Sequence, residues 1–240
     1  MIKQVDFEVA DWGELASGPT TWSGYASQVL SLGPGAYWRE MDVGAGVIEE
    51  VTGQGPSLSL VGEPGLVDGA VKRDASGGWR LTPGQDWVQA GSHVMPPGGG
   101  ASYTLLLWVR LGAADWGICV ADHGSEWWLL VESAGKLHVM INGLSRMSLE
   151  EPSLRDGQWH HLAMTRAADG ALGLWYDGGL VDTGSYASSI ISGAAGFRLG
   201  HESIGTQFDM DEAALFEHVL AAEQIVDLYR RGRGVLAGSL

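Results

Sequence analysis

Cysteine is almost missing from this chain. Cys119 is the only one in 240 residues, so no intrachain disulfide can form. It sits in the apolar run Trp116-Gly-Ile-Cys-Val-Ala and reads as a small buried hydrophobe. Basic residues are scarce too: 14 Lys plus Arg stand against 29 Asp plus Glu, a formal charge of −15. The deficit is even, with 12 acids and 5 bases in residues 1–100 and 17 and 9 in the rest. Nucleic-acid affinity rests on Lys and Arg neutralising phosphates, so a nucleic-acid partner is excluded. An acidic surface suits neutral partners such as sugars, or cations. No apolar run approaches the ~18 residues that span a bilayer, so no membrane insertion is expected. The opening Met1-Ile-Lys-Gln-Val-Asp-Phe-Glu-Val-Ala10 lacks the apolar core of a signal peptide. The chain is therefore expected to be made in a cytoplasm and to leave it without the standard signal route.

Catalytic and phosphate-binding signatures are absent as well. There is no Gly-x-Ser-x-Gly elbow and no G-x-x-x-x-G-K-[ST] loop. Gly98-Gly-Gly100 follows Pro96-Pro97 as a loop, not as a strand-to-helix cradle. No repeat of 20–50 residues recurs.

What the chain has is glycine and tryptophan, 37 and 11 residues, without a Gly-X-Y period. That combination excludes collagen and low-complexity disorder and points to many tight turns. Short apolar or alternating runs recur at 103–110, 116–121, 126–132, 136–142, 158–166, 172–177, 197–200 and 208–216. Gly, Asp, Asn and Pro separate them, and no helical period intervenes, so a β-sandwich or barrel is expected rather than parallel βαβ units. Asn142-Gly143, Asp169-Gly170 and Asp177-Gly178 sit where hairpin turns need positive φ, and Glu132-Ser-Ala-Gly-Lys136 is a fourth short connection. Two helices are expected. One covers residues 23–32, with Ser23 as N-cap and Tyr25, Val29 and Leu32 on one face. The other covers 221–231, with Ile225, Leu228 and Tyr229 on one face, Arg230 and Arg231 in its last turn and Gly232 as the C′ residue. Residues 1–21 read as an N-terminal arm, 22–233 as one domain and 234–240 as a Gly-containing tail.

Three segments acquire meaning together: Gly157-Gln-Trp-His-His-Leu-Ala-Met-Thr-Arg166, then Leu172-Gly-Leu-Trp-Tyr-Asp-Gly-Gly-Leu-Val-Asp-Thr-Gly184, then Phe197-Arg-Leu-Gly200 with Phe208-Asp-Met-Asp-Glu-Ala-Ala-Leu-Phe216. This succession resembles the laminin-G-like, or concanavalin A-like, jelly-roll family. In that family a Trp-His-His strand leads to a Tyr-x-Asp-Gly hairpin, an Asp-Glu strand and a closing helix. The resemblance covers about residues 101–232. Glu63-Pro-Gly-Leu-Val-Asp-Gly-Ala70 is similar to an earlier element of the family. Val29-Leu-Ser-Leu-Gly-Pro-Gly-Ala-Tyr-Trp-Arg39 resembles its opening strand as found in phage tail and other virion proteins. Two positions depart from the pattern. Ala221 stands where a capping Ser is usual, and Phe208-Asp209-Met210 stands where a Gly commonly precedes the Asp-Glu pair.

The resemblance implies an all-β, two-sheet antiparallel sandwich of jelly-roll topology with a short C-terminal helix. Residues 158–166 fit a central strand covered on both sides, since Trp159, His161, Ala163 and Thr165 alternate with His160, Leu162, Met164 and Arg166. Some enzymes of this fold cut β-glucans with three carboxylates on one strand. Here Asp209 and Asp211 share a face, but Ala213 or Ala214 holds the third position, so hydrolysis is not expected. Members of the superfamily often hold calcium at the rim, which makes Asp209, Asp211 and Glu212 the candidate ligands for Ca²⁺, with Asp122 or Asp182 in support. The plainer alternative is solvated carboxylates, or carboxylates bonded to backbone amides. His160 and His161 point to opposite faces and cannot share a metal from one strand. Trp108, Trp159 and Trp175 are expected in the core. Of the adjacent pair Trp127-Trp128 one faces in and one out. Trp79, Trp87, Trp116 and Trp127 are the candidates for a ligand or partner surface, because an indole stacks on a sugar face.

The expected function is therefore non-catalytic. The chain reads as a phage virion protein of the tail or capsid surface, released by lysis, adhering to host-surface glycans. It is expected to be homo-oligomeric among other virion proteins. Two alternatives stand beside this: a decoration or cementing protein without sugar binding, and a calcium-assisted polysaccharide-degrading enzyme.

Overall fold

Period-two alternation gives a strand one face for a core, and tight turns between antiparallel neighbours stack such faces into layers. The computed structural model describes residues 24–39, 47–71, 77–82, 85–90, 101–112, 118–123, 127–131, 135–150, 154–187, 197–200 and 207–234. Helix α1 (Gly24–Ser31) leads into β1 (Ala36–Trp38), β2 (Val47–Ile48), β3 (Leu58–Val61), β4 (Gly65–Asp68), β5 (Gly77–Leu81) and β6 (Trp87–Gln89). There follow β7 (Tyr103–Leu111), β8 (Ile118–His123), β9 (Trp127–Val131), β10 (Leu137–Ile141), β11 (Leu144–Leu149), β12 (Trp159–Arg166), β13 (Ala171–Tyr176) and β14 (Gly179–Ser185). Strands β15 (Phe197–Leu199) and β16 (Phe208–Phe216) precede helix α2 (Ala222–Gly232).

The strands form two antiparallel sheets. The first runs β14-β13-β12-β7-β16-β5-β4, with β1 also paired to β16; the second runs β11-β10-β9-β8-β15-β6-β3-β2. Non-consecutive neighbours such as β7 and β16 give the sandwich its jelly-roll winding. The expected all-β fold with a terminal helix is what the chain adopts.

Two cores result, one on each face of the first sheet. Between the sheets, Leu105, Leu107, Leu162, Met164 and Met210 pack with Val88, Leu129, Val139 and Ile141. On the outer face, Leu106, Trp108, Ala163 and Phe216 meet Tyr25 and Val29 of α1 and Ile225 and Leu228 of α2. This explains the sequence of β12, where every residue is buried. Each fully buried aliphatic side chain contributes about 1.5–3 kcal/mol, so sacrificing the polar face of an ordinary strand is favourable once helices cover it.

The hairpin signals hold. Asn142 and Gly143 turn β10 into β11 with φ of 51° and 73°, and Asp177 and Gly178 turn β13 into β14 with 48° and 80°. Gly170, at φ 90°, lies between β12 and β13. The terminal helix corrects one expectation: Gly232 is its last helical residue, not the C′ position, and Gly234 takes the positive φ of 75°. A Cβ at position 232 would sit 2.3 Å from Trp108 Cζ2, so glycine there lets α2 press onto the sheet. At the other end Ala221 offers no side-chain cap, and its N–H donates instead to Gln224 Oε1 at 2.7 Å. Ser23, the arm at 1–21 and positions 235–240 of the tail lie outside the described residues. No described helix is long and apolar enough to cross a membrane.

Candidate functional site

At one end of the sandwich several connections cross between the layers: the β3–β4 turn, the link from β5 to β6 and the approach to β16. The Arg80 side chain is 42% exposed on the outer face of the first sheet beside them. Cross-strand register places five residues in a row there: Gly65 opposite Arg80, Arg80 opposite Asp209, Asp209 opposite Arg110 and Arg110 opposite Trp159. Asp209 is buried between two guanidiniums. Arg80 donates from Nε to Oδ1 at 2.7 Å and from Nη2 to Oδ2 at 3.0 Å, and Arg110 donates from Nε to Oδ2 at 2.8 Å. The remaining nitrogens of Arg110 reach the exposed Asp68 at 3.0 and 3.1 Å. Its guanidinium lies 4.7 Å from the Trp159 ring, a cation–π contact that closes the row. Arg110's hydrogen bonds hold the Asp68 carboxyl below its usual range, and bonding to Asp209 holds Arg80 above its own.

Two cavities open over this row. One, about 310 Å³, is walled by Arg80, Arg110, Gly157, Gln207 and Asp209. The other, about 530 Å³, is walled by Glu63, Arg80, Thr82, Gln85, Asp86 and Gln207. They share Arg80 and Gln207 and so adjoin, side by side along one polar trough. Asp86 fixes the wall of the larger cavity. Its Oδ1 accepts from the Glu63 N–H at 2.8 Å and its Oδ2 from the Thr82 N–H at 3.2 Å. Gly62, at φ +86°, sits so close that a Cβ would lie 2.2 Å from the Gln85 carbonyl oxygen. The trough is a preformed polar concavity offering amide, guanidinium and carboxylate groups at fixed positions. Asp209 is engaged by two guanidiniums and Asp86 by backbone amides, which suits these two carboxylates to recognition better than to proton transfer.

Of the tryptophans expected to form a binding surface, Trp79 and Trp87 lie on strands of different sheets. Trp79 is fully buried in the inter-sheet core, so it does not meet a ligand. Trp79 and Leu81 alternate with Arg80 along β5, which is the period-two signal that places the indole inside. Trp87 is half-buried at the cavity end, next to Asp86, with its register partner Val61 adjoining Gly62. Trp127 lies on β9, separated from Trp87's strand by β8 and β15. Trp116 lies outside the described residues.

The candidate calcium ligands are likewise dispersed among protein partners. Asp209 is held by the two arginines. Asp211 is fully buried, and its Oδ2 accepts from the Ala70 N–H at 2.8 Å. Glu212 is fully buried, accepting from the Tyr37 hydroxyl and from Arg39 Nε at 2.9 and 3.2 Å. A bulge explains their divergence: Glu212 adopts φ 52° and the β16–β7 register shifts between Asp211 and Ala214. Asp182 Oδ2 accepts from the Ser148 N–H at 2.8 Å, tying β14 to β11. Asp122 lies on β8. Among the described residues no three His, Cys, Asp or Glu side chains are grouped to hold an ion.

The adjacent histidines part as expected. His161 lies under the helices, 5.1 Å from the Trp108 ring and 6.3 Å from Tyr25, and burial pushes it down to about 4. His160 sits between Asp177 Oδ2 at 3.1 Å and Asp156 Oδ1 at 3.0 Å. Burial would lower it, but those two bonds prevail and hold it above its ordinary value.

The profile of the concanavalin A-like lectin/glucanases superfamily matches residues 82–226. The chain belongs to this superfamily. No curated protein matches the sequence. Among solved structures, the binding domain of botulinum neurotoxin serotype C1 aligns with a TM-score of 0.64 at 12% identity, over 83% of this chain and 52% of that one. The binding domain of botulinum neurotoxin DC in complex with rat synaptotagmin II aligns at 0.63 and 12%, over 83% and 52%. The binding domain of botulinum neurotoxin DC in complex with SialylT aligns at 0.61 and 11%, over 82% and 50%. At these identities the likeness is one of fold, and this superfamily member spans about half the length of those chains.

Proposed function

We propose that the protein is a non-catalytic, glycan-binding module of a phage virion surface, in tail or capsid, that adheres to host-surface carbohydrate through the trough at Arg80. The observation that carries this reading is the Arg80–Asp209–Arg110 row beneath two joined polar cavities. Sugar hydroxyls present donors and acceptors together, and such a wall answers both. Fold kinship supports it: one neurotoxin binding domain of similar fold is in complex with SialylT. The resemblance of residues 29–39 to virion proteins supports the setting. Binding rather than cleavage is favoured because a glycosidase needs a carboxyl with a raised pKa. In the row, Arg110 holds Asp68 below its usual range instead.

A glycan array with the purified protein tests the binding. Signal on at least one glycan, lost in Arg110→Ala at unchanged far-ultraviolet circular dichroism, supports the reading; equal signal from the variant moves the site elsewhere. Mass spectrometry of purified particles tests the setting, since a chain found only free in the lysate would overturn it.

A second reading, a cementing protein that also self-associates, has one observation in its favour. Both edges of the first sheet carry exposed leucines, Leu66 on β4 and Leu180 on β14, 53% and 50% exposed. Edge strands with apolar side chains are places where another chain can add. Light scattering that gives a monomer at all concentrations would count against it.

A further inference from the structure

The trough has a length and a charge that restrict its ligand further. Resting on the reading above, we propose that it takes a chain, at least two consecutive units of a neutral polysaccharide, laid across Arg80, rather than one terminal or acidic sugar.

The length follows from the two cavities. About 310 and 530 Å³ each fall in the ~300–1,000 Å³ range of sites that enclose a small organic molecule. They meet at Arg80 and Gln207, so a ligand filling one is in reach of the other without leaving the wall. Among the described residues Arg80 is the only charged one common to both. Its Nε and Nη2 are committed to Asp209, and its side chain is 42% exposed, so its outer edge faces both halves of the trough. A single sugar would leave one cavity filled with water. A chain places successive units against Gln85 and Glu63 on one side and Arg110 and Gly157 on the other.

Neutrality follows from the charges. Among the described residues, the trough and its row hold two cations, Arg80 and Arg110, against four carboxylates, Glu63, Asp68, Asp86 and Asp209. The chain as a whole carries −15. Asp209 and Asp68 already occupy the forks by which arginine would grip a ligand carboxylate or sulfate. An acidic sugar would have to displace these partners inside a negative surround. Uncharged hydroxyls meet no such opposition. The walls are pinned by Asp86 and by the close approach at Gly62, so little ordering is needed when a chain settles.

The test is an array carrying homo-oligomers of glucose, galactose and mannose, from monosaccharide to hexasaccharide, beside sialylated and sulfated glycans. The expected result is a neutral series with negligible monosaccharide signal and a rise of about tenfold on adding the second unit, the increment of one net hydrogen bond. Arg80→Ala is expected to erase that rise with the far-ultraviolet circular dichroism unchanged, Asp209 keeping Arg110 as its partner. Gln207→Ala, at the same junction, gives the same readout should the arginine variant fail to fold. Equal signal from mono- and hexasaccharide, or signal confined to sialylated or sulfated glycans, overturns this inference and leaves glycan binding intact. Silence across the whole array overturns glycan binding itself, and this inference with it.

Discussion

Glu212 holds a conformation that an ordinary residue avoids. A non-glycine φ of 52° inside a strand costs about 1–3 kcal/mol and persists where its surroundings over-determine it. Here they do: the carboxylate is buried against the Tyr37 hydroxyl and Arg39, which join β1 to the bulge of β16. Removing one partner of a buried ion pair strands the other charge, so Glu212→Ala is expected to cost about 3–5 kcal/mol in urea unfolding. A loss below about 1 kcal/mol would contradict the buried-pair assignment. His161 makes an opposite prediction. Neither ring nitrogen has a hydrogen-bond partner among the described residues, and burial lowers the ring from 6.5 to about 4. Between those values the unfolded chain binds the proton and the folded chain does not. Stability tied to this ring is therefore full above 6.5 and drains as pH falls toward 4, at no more than about 1.4 kcal/mol per pH unit. His160 works the other way: its raised value adds stability below 6.5 that is lost as pH rises past it. His161→Phe is expected to flatten the acid limb of a pH–stability curve measured from pH 7 to 4. An unchanged limb would show that the ring is hydrated.

The elements show which parts of the fold a sequence can declare. Trp159–Arg166 and Phe208–Phe216 were legible because eight or nine apolar-rich residues in succession, next to Asp-Gly or a helix start, need no distant information. Hairpins at Asn142-Gly143 and Asp177-Gly178 were legible because positive φ selects those residue types. Strands β2, β3, β5 and β6 are not legible in the sequence, and β4 is so only through the family resemblance of residues 63–70. They have two to five residues each, and what defines them is the neighbour they pair with. The site shares that difficulty: Asp68, Arg80, Arg110 and Asp209 meet only because β4, β5, β16 and β7 lie side by side. Nothing local marks Asp68, Arg80 or Arg110, and Asp209 is marked only as a candidate calcium ligand. Gly232 is the same lesson at a helix end, since its local setting fits a stop and only Trp108 explains why it is glycine. Two effects compete in Gly232→Ala. Helix propensity favours alanine by about 1 kcal/mol, while a Cβ 2.3 Å from the indole forces repacking that costs about 1–3 kcal/mol. Backbone cannot yield easily there, so the overlap is expected to win and lower the melting temperature by several degrees. A variant more stable than the parent would mean that α2 stands off the sheet.

At the scale of the whole molecule, the two cores leave one end of the first sheet uncovered among the described residues. Helices α1 and α2 cover Trp108 and His161 on the outer face, and the cover stops before the row of Arg80, Asp209 and Arg110. The sandwich therefore carries the polar trough at its margin. Arg110→Ala should cost at least tenfold in glycan affinity, because the guanidinium both walls the smaller cavity and braces Asp209. The most direct measurement is a nuclear magnetic resonance titration of the labelled protein with its best-binding glycan, following backbone amides. The account predicts shifts concentrated at Gly62, Gly65, Arg80, Gln85, Gly112 and Gln207. Shifts concentrated instead on β9 and β10, or on the Leu180 edge, would contradict it.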